Sequence, residues 1–178
     1  MTEPRRILPG KTWKITRRTQ DRRFTLAPDE DCEKVNNIIE YCLADAAEQY
    51  GIELHDICAM GNHPHIELTD VRGVLPSFTQ AFFEHTSKCL KKLRGIDENV
   101  WSAEKCDYTE LVTPEGAREA MAYTLANPTA AGLVRYSWQW PGVRSTPRDL
   151  LGHERTIEPP PFYFKSAKPK KLRFTPPP

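Results

Sequence analysis

The sequence predicts an α+β domain, a ferredoxin-like or RRM-like sandwich in which helices pack on one face of an antiparallel sheet. The chain has 178 residues, which suits one domain with tails. Strand and helix patterns follow in the order strand, helix, strand, strand, helix, strand, helix. The chain contains neither an internal repeat nor a glycine-rich phosphate loop. With helices on one face, we expect the other face of the sheet to be free for a ligand.

The first half of the chain carries three of the predicted strands. A strand is predicted over residues 13–19, and apolar residues at helical spacing predict a helix over residues 30–50. The apolar stretch 52–60 and the alternating stretch 63–69 predict two further strands. The Gly61-Asn62 turn between them predicts a hairpin.

The second half of the chain predicts a helix over residues 76–94, a strand over residues 108–112 and a third helix. The Thr113-Pro114 pair suits the start of that helix, because it supplies a capping hydroxyl and a proline in the first turn. Pro128 disfavours helical geometry for Asn127 before it, so we expect the third helix to end at Asn127.

The predicted organisation is a domain over residues 1–150 and a Pro- and Lys-rich tail over residues 151–178 that is partly disordered. No run of about 18 apolar residues occurs, so we expect no membrane span. The N-terminal segment lacks the apolar stretch of a secretory signal. The five scattered cysteines form no C-x-x-C motif and indicate reduced thiols, which is typical of a cytoplasmic protein.

The net charge is only +1, but the charges are segregated along the chain. Basic residues cluster in residues 1–25, 88–94 and 165–173, whereas residues 26–60 are acidic. Such clusters indicate a polyanionic partner. The alternative is a solubilising surface, although solubility does not require arginine pairs inside a predicted strand.

The residues with the most distinctive chemistry lie in the stretch Asn62-His63-Pro64-His65-Ile66-Glu67-Leu68. Alternate side chains of a strand point to the same face, so we expect His63 and His65 side by side, with Glu67 next in the row. Two parallel imidazoles can bind one divalent metal ion, which would polarise a phosphate or a carbonyl. Two solvent-facing histidines without a ligand are the alternative, because a metal site needs a third ligand.

A third ligand and a nucleophile are available on the third helix. Tyr123 and Asn127 are four residues apart and therefore share one helix face. If that face meets the sheet at the histidines, the amide oxygen of Asn127 is a candidate third ligand and the hydroxyl of Tyr123 a candidate nucleophile. The alternatives are a core tyrosine on an amphipathic helix and an ordinary C-terminal asparagine.

Several segments in this order resemble the single-tyrosine HUH transposases, and most closely the REP-associated tyrosine transposases. The similar segments are Ile15-Thr16-Arg17-Arg18-Thr19 with Asp21-Arg22-Arg23-Phe24, Met60-Gly61-Asn62-His63-Pro64-His65 (the MPNHxH signature), Trp101, Ala122-Tyr123 through Asn127-Pro128 with Ala131-Gly132-Leu133-Val134, and Trp140-Pro141-Gly142-Val143. The resemblance covers roughly residues 5–145, and its motifs are specific in combination.

The resemblance implies a function and a set of site residues. His63 and His65 match the metal ligands and Asn127 the third ligand, for Mg²⁺ or Mn²⁺. Tyr123 matches the nucleophile, which attacks a phosphodiester in single-stranded DNA to give a 5′-phosphotyrosine link and a free 3′-hydroxyl. The expected partner is single-stranded or hairpin DNA from palindromic repeats, and the expected protein is a monomer or homodimer associated with DNA in the bacterial cytoplasm.

For this function the basic clusters are predicted to bind DNA phosphates. The residues predicted to do so are Arg17, Arg18, Arg22, Arg23, Lys88, Lys91 and Lys92. Two further interpretations stay open from the sequence. One is a non-catalytic protein that has kept the fold and binds hairpin DNA, and the other is an RNA-binding ferredoxin-like module.

Two residues depart from the pattern of the family. Gly61 stands where the family has proline, and Pro64 stands where the family has a bulky residue between the histidines. Because proline cannot donate a ladder hydrogen bond, we expect the third strand to be an edge strand or to be bulged at Pro64.

Overall fold

The computed structural model of the chain describes residues 6–178. Residues 1–5, which begin the predicted domain and include Arg5 of the first basic cluster, lie outside the described residues. One antiparallel sheet has the order β2-β3-β1-β4 and consists of β1 (Lys11–Thr16), β2 (Ile52–Ala59), β3 (Pro64–Asp70) and β4 (Asp107–Glu110). The helices are α1 (Cys32–Tyr50), α2 (Leu75–Arg94), α3 (Pro114–Ala130) and the single turn α4 (Pro147–Leu150). The predicted α+β fold class is confirmed.

The hydrophobic core lies between one face of the sheet and the pair α1 and α2, which pack on each other. Ile15, Ile57 and Ile66 point into it from three neighbouring strands and are fully buried, together with Phe78 and Phe82 of α2. Since side chains alternate along each strand, the polar residues of the same strands are placed on the opposite face. In the described part of the chain, no helix is both long and apolar enough to cross a membrane.

The opposite, polar face of the sheet is partly covered by α3, which contacts β2 and β3. Only Ala117, Thr124 and Pro128 of α3 are buried, so the helix has no apolar stripe that would fit the core. It is held instead by a hydrogen bond of 2.6 Å from the Thr124 hydroxyl to Oε1 of the buried Glu67. The face that we expected to be free is therefore open only where α3 does not lie on it.

The end of α3 differs from the sequence prediction, because the helix passes through Pro128 and ends at Ala130. Proline removes the N–H that would donate to the carbonyl of Thr124. The side-chain amide of Asn127 lies 3.5 Å from that carbonyl oxygen and donates to the carbonyl of Tyr123 at 3.0 Å. Asn127 thus replaces part of the missing hydrogen bonding, which allows one more turn of helix.

The expected edge position or bulge at Pro64 is wrong. β3 is a central strand, and the irregularity in its pairing with β2 lies between Leu54 and Asp56. Pro64 is the first residue of β3 and is paired with Ala59 alone, since the pairing with β1 begins at His65. Because Pro64 has no partner on β1, its missing N–H removes no hydrogen bond to that strand. His63 accordingly precedes the strand that we predicted to start with it.

The C-terminal segment also differs from the predicted, partly disordered tail. It forms a hairpin of β5 (Arg155–Ile157) and β6 (Lys170–Leu172), which contacts α1. Phe174 is fully buried in the core, and the N–H of Thr175 donates to the carbonyl of Leu54 at 2.8 Å. The tail is placed by its few apolar side chains, and its Lys170 pairs with the α1 acids Asp45 and Glu48.

Candidate active site

The β2–β3 hairpin positions the two histidines of the motif. The N–H of Met60 donates to the carbonyl of His63 at 2.9 Å and closes the turn. His65 follows on β3, where it is paired with Cys58 on one side and Thr16 on the other. The centroids of the two imidazole rings are 4.6 Å apart, and the ring planes meet at 76°. The structure thus places the two side chains next to each other on the polar side of the sheet.

The surroundings of both histidines favour the neutral form that metal binding requires. Nδ1 of His63 lies 2.6 Å from Oδ1 of Asn62, and because that oxygen can only accept, Nδ1 carries the proton and Nε2 keeps its lone pair. Burial, with the nearby positive charges of Arg18 and Lys14, lowers the pKa of His63. Burial, followed by the influence of His63, lowers the pKa of His65 to about 3.

The strongest sign of a missing ligand is at His65. Its side chain is 7 % exposed, and both of its ring nitrogens are buried without a hydrogen-bond partner among residues 6–178. A buried polar group without a partner costs about 1–3 kcal/mol. A divalent metal ion bound between His65 and His63 would take one of these two nitrogens as a ligand and remove part of that cost, so these two residues fit the metal that the resemblance implies.

Tyr123 projects from α3 toward the histidines. Its ring centroid lies 6.0 Å from that of His65, and Nζ of Lys14 lies 4.1 Å from the centre of the tyrosine ring. The side chain is 57 % exposed, so its hydroxyl is accessible from solvent. The neighbouring Thr124 fixes the position of Tyr123 through its bond to the buried Glu67.

Asn127 is not brought into the cavity that the histidines line. Its amide nitrogen is used within α3, and no described residue donates to its Oδ1. Within residues 6–178, no group of three or more His, Cys, Asp or Glu side chains is arranged to hold a metal ion. A metal site here therefore needs an oxygen ligand of another kind, and Asn127 stays a prediction for that role.

A cavity of about 310 Å³ opens in front of the site. It is lined by His63, His65 and Tyr123, and by Thr16, Arg17, Arg18, Ser102, Glu104, Lys105 and Asp107. The cavity brings together the residues with the candidate chemistry and three cationic side chains. Its position beside the exposed tyrosine leaves room for an extended, charged substrate.

The predicted phosphate-binding residues fall into two groups. Arg17 and Arg18 line the histidine cavity, and Arg22 lies in the adjoining turn, where it and Asp21 adopt left-handed backbone conformations with φ of 55° and 52°. Arg23, next to that turn, pairs with Glu98 at 3.4 Å.

The structure does not bring the α2 lysines to the cavity. Lys88 pairs with Glu84, Lys91 donates to the carbonyl of Asp97 at 2.8 Å, and Lys92 is exposed. All three lie on the helix that packs against the apolar face of the sheet, so they are separated from the histidines by the sheet itself.

Sequence reasoning missed a row of buried charges next to the histidines. Asp56, Glu67 and Lys14 are paired side by side across β2, β3 and β1. Burial raises the pKa of Asp56 to about 7 and raises that of Glu67, and it lowers the pKa of Lys14. Strand alternation signals that Glu67 shares a face with His65, but only the register between strands reveals its partners.

In fold, the chain is similar to a transposase. A solved structure of a REP-associated tyrosine transposase bound to a REP hairpin matches with a TM-score of 0.66 and 20% sequence identity, over 84% of this chain and 85% of that chain. A second solved structure, of a protein described as a transposase of Deinococcus radiodurans R1, matches with a TM-score of 0.45 and 19% identity, over 71% of this chain and 97% of that one. No protein-family model and no curated protein matches the sequence. The first likeness confirms that the predicted resemblance holds at the level of the fold.

Proposed function

We propose that the protein is a metal-dependent DNA transesterase that cleaves and rejoins single-stranded DNA at hairpin-forming repeats. The observation that carries the proposal is the buried imidazole of His65, which has no hydrogen-bond partner among residues 6–178 and lies beside both His63 and Tyr123. Two candidate metal ligands next to an exposed phenol are the groups needed for nucleophilic attack on a phosphodiester. The likeness in fold to a transposase solved with a REP hairpin supports the choice of DNA as substrate.

In this proposal, His63 and His65 hold Mg²⁺ or Mn²⁺, with the amide oxygen of Asn127 as the third protein ligand. Held there, such an ion would polarise the scissile phosphate. Two nitrogens and an amide oxygen favour Mn²⁺ in vitro, whereas Mg²⁺ is the more available ion in cells. Arg17 and Arg18 bind neighbouring phosphates of the strand from the wall of the cavity.

The hydroxyl of Tyr123 attacks the phosphorus atom of the scissile bond. The new bond joins its Oη to phosphorus, and the bond from phosphorus to the 3′-oxygen breaks. In net terms the proton of the phenol passes to the departing 3′-oxygen, so a 5′-phosphotyrosine and a 3′-hydroxyl are formed without hydrolysis. Lys14 packs on the ring of Tyr123, and the bond from Thr124 to Glu67 keeps α3 in place during the exchange.

Incubation with a labelled repeat hairpin that carries single-stranded flanks tests the proposal. With Mn²⁺ present, we expect a denaturation-resistant adduct that carries a 3′-end label of the DNA, while a 5′-end label leaves with the free fragment. Tyr123→Phe should abolish the adduct, whereas Tyr50→Phe, which alters a half-buried tyrosine at the end of α1 outside the cavity, should not. An adduct that forms equally well with Tyr123→Phe would refute the assigned nucleophile.

The metal is tested by a second readout that does not depend on activity. Mn²⁺ should raise the melting temperature of the wild-type protein but not that of His65→Ala. Tight binding of hairpin DNA with no adduct in either metal would favour the non-catalytic hairpin-binding protein. A preference for RNA without metal dependence would favour the RNA-binding module.

A further inference from the structure

Two exposed aromatic rings stack on each other in the segment that follows α3. The centroids of Tyr136 and Trp138 are 4.5 Å apart, and their planes are inclined by only 3°. Trp138 is 66 % exposed, whereas Trp13, Trp101 and Trp140 are buried. Large aromatic side chains in water without a core role mark a surface that binds something.

The stacked pair is held rigidly. The N–H of Tyr136 donates to Oε1 of Gln139, and the N–H of Gln139 donates back to the carbonyl of Tyr136, both at 2.9 Å. The carbonyl of Trp138 accepts a hydrogen bond of 2.8 Å from Nη2 of Arg144. Because these bonds fix the backbone that carries the two rings, a ligand that stacks on them pays less further loss of conformational entropy.

The same segment is attached to the strand end that carries the candidate active site. The buried Trp140 donates its indole N–H to the carbonyl of Ala59 at 3.0 Å. The N–H of Ala59 in turn donates to the carbonyl of Val143 at 2.8 Å. Cys58, the preceding residue, is paired with His65. The aromatic pair is therefore anchored to the end of β2, one strand away from the histidines.

Positive charge accompanies the rings. The guanidinium carbon of Arg135 lies 5.3 Å from the centre of the Tyr136 ring, and Arg144 lies beside Trp138. Neither arginine forms an ion pair with any residue in the described range 6–178. Flat aromatic faces combined with unpaired cations are typical of surfaces that stack unpaired bases and bind the adjoining phosphates.

We propose that Tyr136 and Trp138 form a stacking platform for an unpaired base in the single-stranded flank of the DNA. This inference rests on the proposed DNA substrate, and it assigns a binding role to residues outside the catalytic cavity. Arg135 and Arg144 hold the phosphates next to the stacked base. The platform strengthens the binding of DNA that has an unpaired base and does not contribute to the binding of a blunt hairpin.

Binding of three hairpins tests the platform: one blunt, one with a single-stranded flank, and one with the same flank made of abasic sites. Trp138→Ala should weaken binding of the flanked hairpin by about 5- to 100-fold. It should leave binding of the blunt and abasic hairpins unchanged. Leu151→Ala, which removes another exposed apolar side chain elsewhere, is the control and should bind all three as the wild type does.

Fluorescence gives an independent readout, because Trp138 is the exposed tryptophan. The flanked hairpin should quench the wild-type emission, and Trp138→Phe should lose that quenching while it retains most of the affinity. Equal affinity of wild type and Trp138→Ala for the flanked hairpin would overturn the platform and leave DNA binding intact. Failure of the wild type to bind any of the DNAs would overturn both proposals. Concentration-dependent self-association that Trp138→Ala abolishes, with DNA binding unchanged, would assign the rings to a protein contact instead.

Discussion

Replacement of Thr124 by valine tests the contact that places Tyr123 against the histidines. Valine keeps the shape of threonine and removes only the hydroxyl, which donates to Oε1 of Glu67 at 2.6 Å. Both side chains are buried, and Oε2 of Glu67 has no partner among the described residues. Without the hydroxyl, Oε1 of that carboxyl keeps only its 3.8 Å contact with Nζ of Lys14 among the ion pairs and hydrogen bonds of the described residues.

The expected cost follows from the burial of this hydrogen bond. A hydrogen bond contributes about 0.5–1.5 kcal/mol to stability, and a buried acceptor that loses its partner costs about 1–3 kcal/mol. We therefore expect Thr124→Val to lower the free energy of unfolding by about 2 kcal/mol. For a chain of this length, that corresponds to a fall in melting temperature of about 4–8 °C.

Urea unfolding of Thr124→Val, Glu67→Met and the double variant measures the contact as a coupling energy, which we expect to exceed about 1 kcal/mol, because methionine removes the acceptor. Thr129→Val is the matched control, because Thr129 lies on the exposed side of the same helix. That control should change stability by less than about 0.5 kcal/mol. If Thr124→Val and Thr129→Val were equal, or if the two single effects were additive, α3 would not be anchored to the sheet through Glu67.

Three further outcomes follow from buried residues. Burial raises the pKa of Asp56 to about 7 in the folded protein, compared with about 4 in the unfolded chain. The protonated carboxyl therefore contributes its full stabilisation of the fold below pH 4, and this contribution is lost as the pH rises through 7. Asp56→Asn should therefore flatten the fall in unfolding free energy between pH 4 and pH 7 by about 1 kcal/mol per pH unit, and an unchanged slope in urea titrations would contradict this. Phe174→Ala should cost about 3–5 kcal/mol in thermal unfolding, because the ring is fully buried; a loss below about 1 kcal/mol would mean that the tail is not docked. Gly142→Ala places a Cβ 2.5 Å from Nε1 of Trp140, so it should lower the melting temperature and change the near-ultraviolet circular dichroism, and wild-type values for both would argue against the close packing.

Most of the fold could be predicted from the sequence because its local patterns are strong. The period of the apolar residues predicts α1, β2, α2 and the β2–β3 hairpin to within a residue or two. The errors occurred where a side-chain hydrogen bond or a tertiary contact outweighs a local preference. Pro128 would end an isolated helix, but the amide of Asn127 partly replaces its missing donor and α3 continues. The C-terminal segment is rich in proline and lysine, yet Phe174 finds space in the core.

In the candidate site, too, the local features could be predicted from the sequence and the tertiary contacts could not. Spacing alone predicts that His63 and His65 are neighbours and that Tyr123 and Asn127 share a helix face. Spacing contains no information on whether the tyrosine helix, α3, contacts the histidine strand, β3, because the two segments are about 60 residues apart in the chain. The contact between Thr124 and Glu67 decides that question, and only the structure shows that the amide nitrogen of Asn127 bonds to carbonyls within α3.

By itself, the sequence determined the class of fold, the histidine pair and the tyrosine helix, because alternation and helical period are local properties of a chain. Tertiary structure alone decided that α3 covers the polar face, that Lys14, Glu67 and Asp56 form one buried row, and that the α2 lysines lie on the far side of the sheet. These features depend on strand register and on which faces pack together. Register and packing are set by the burial of residues distant in sequence, so no local pattern carries them.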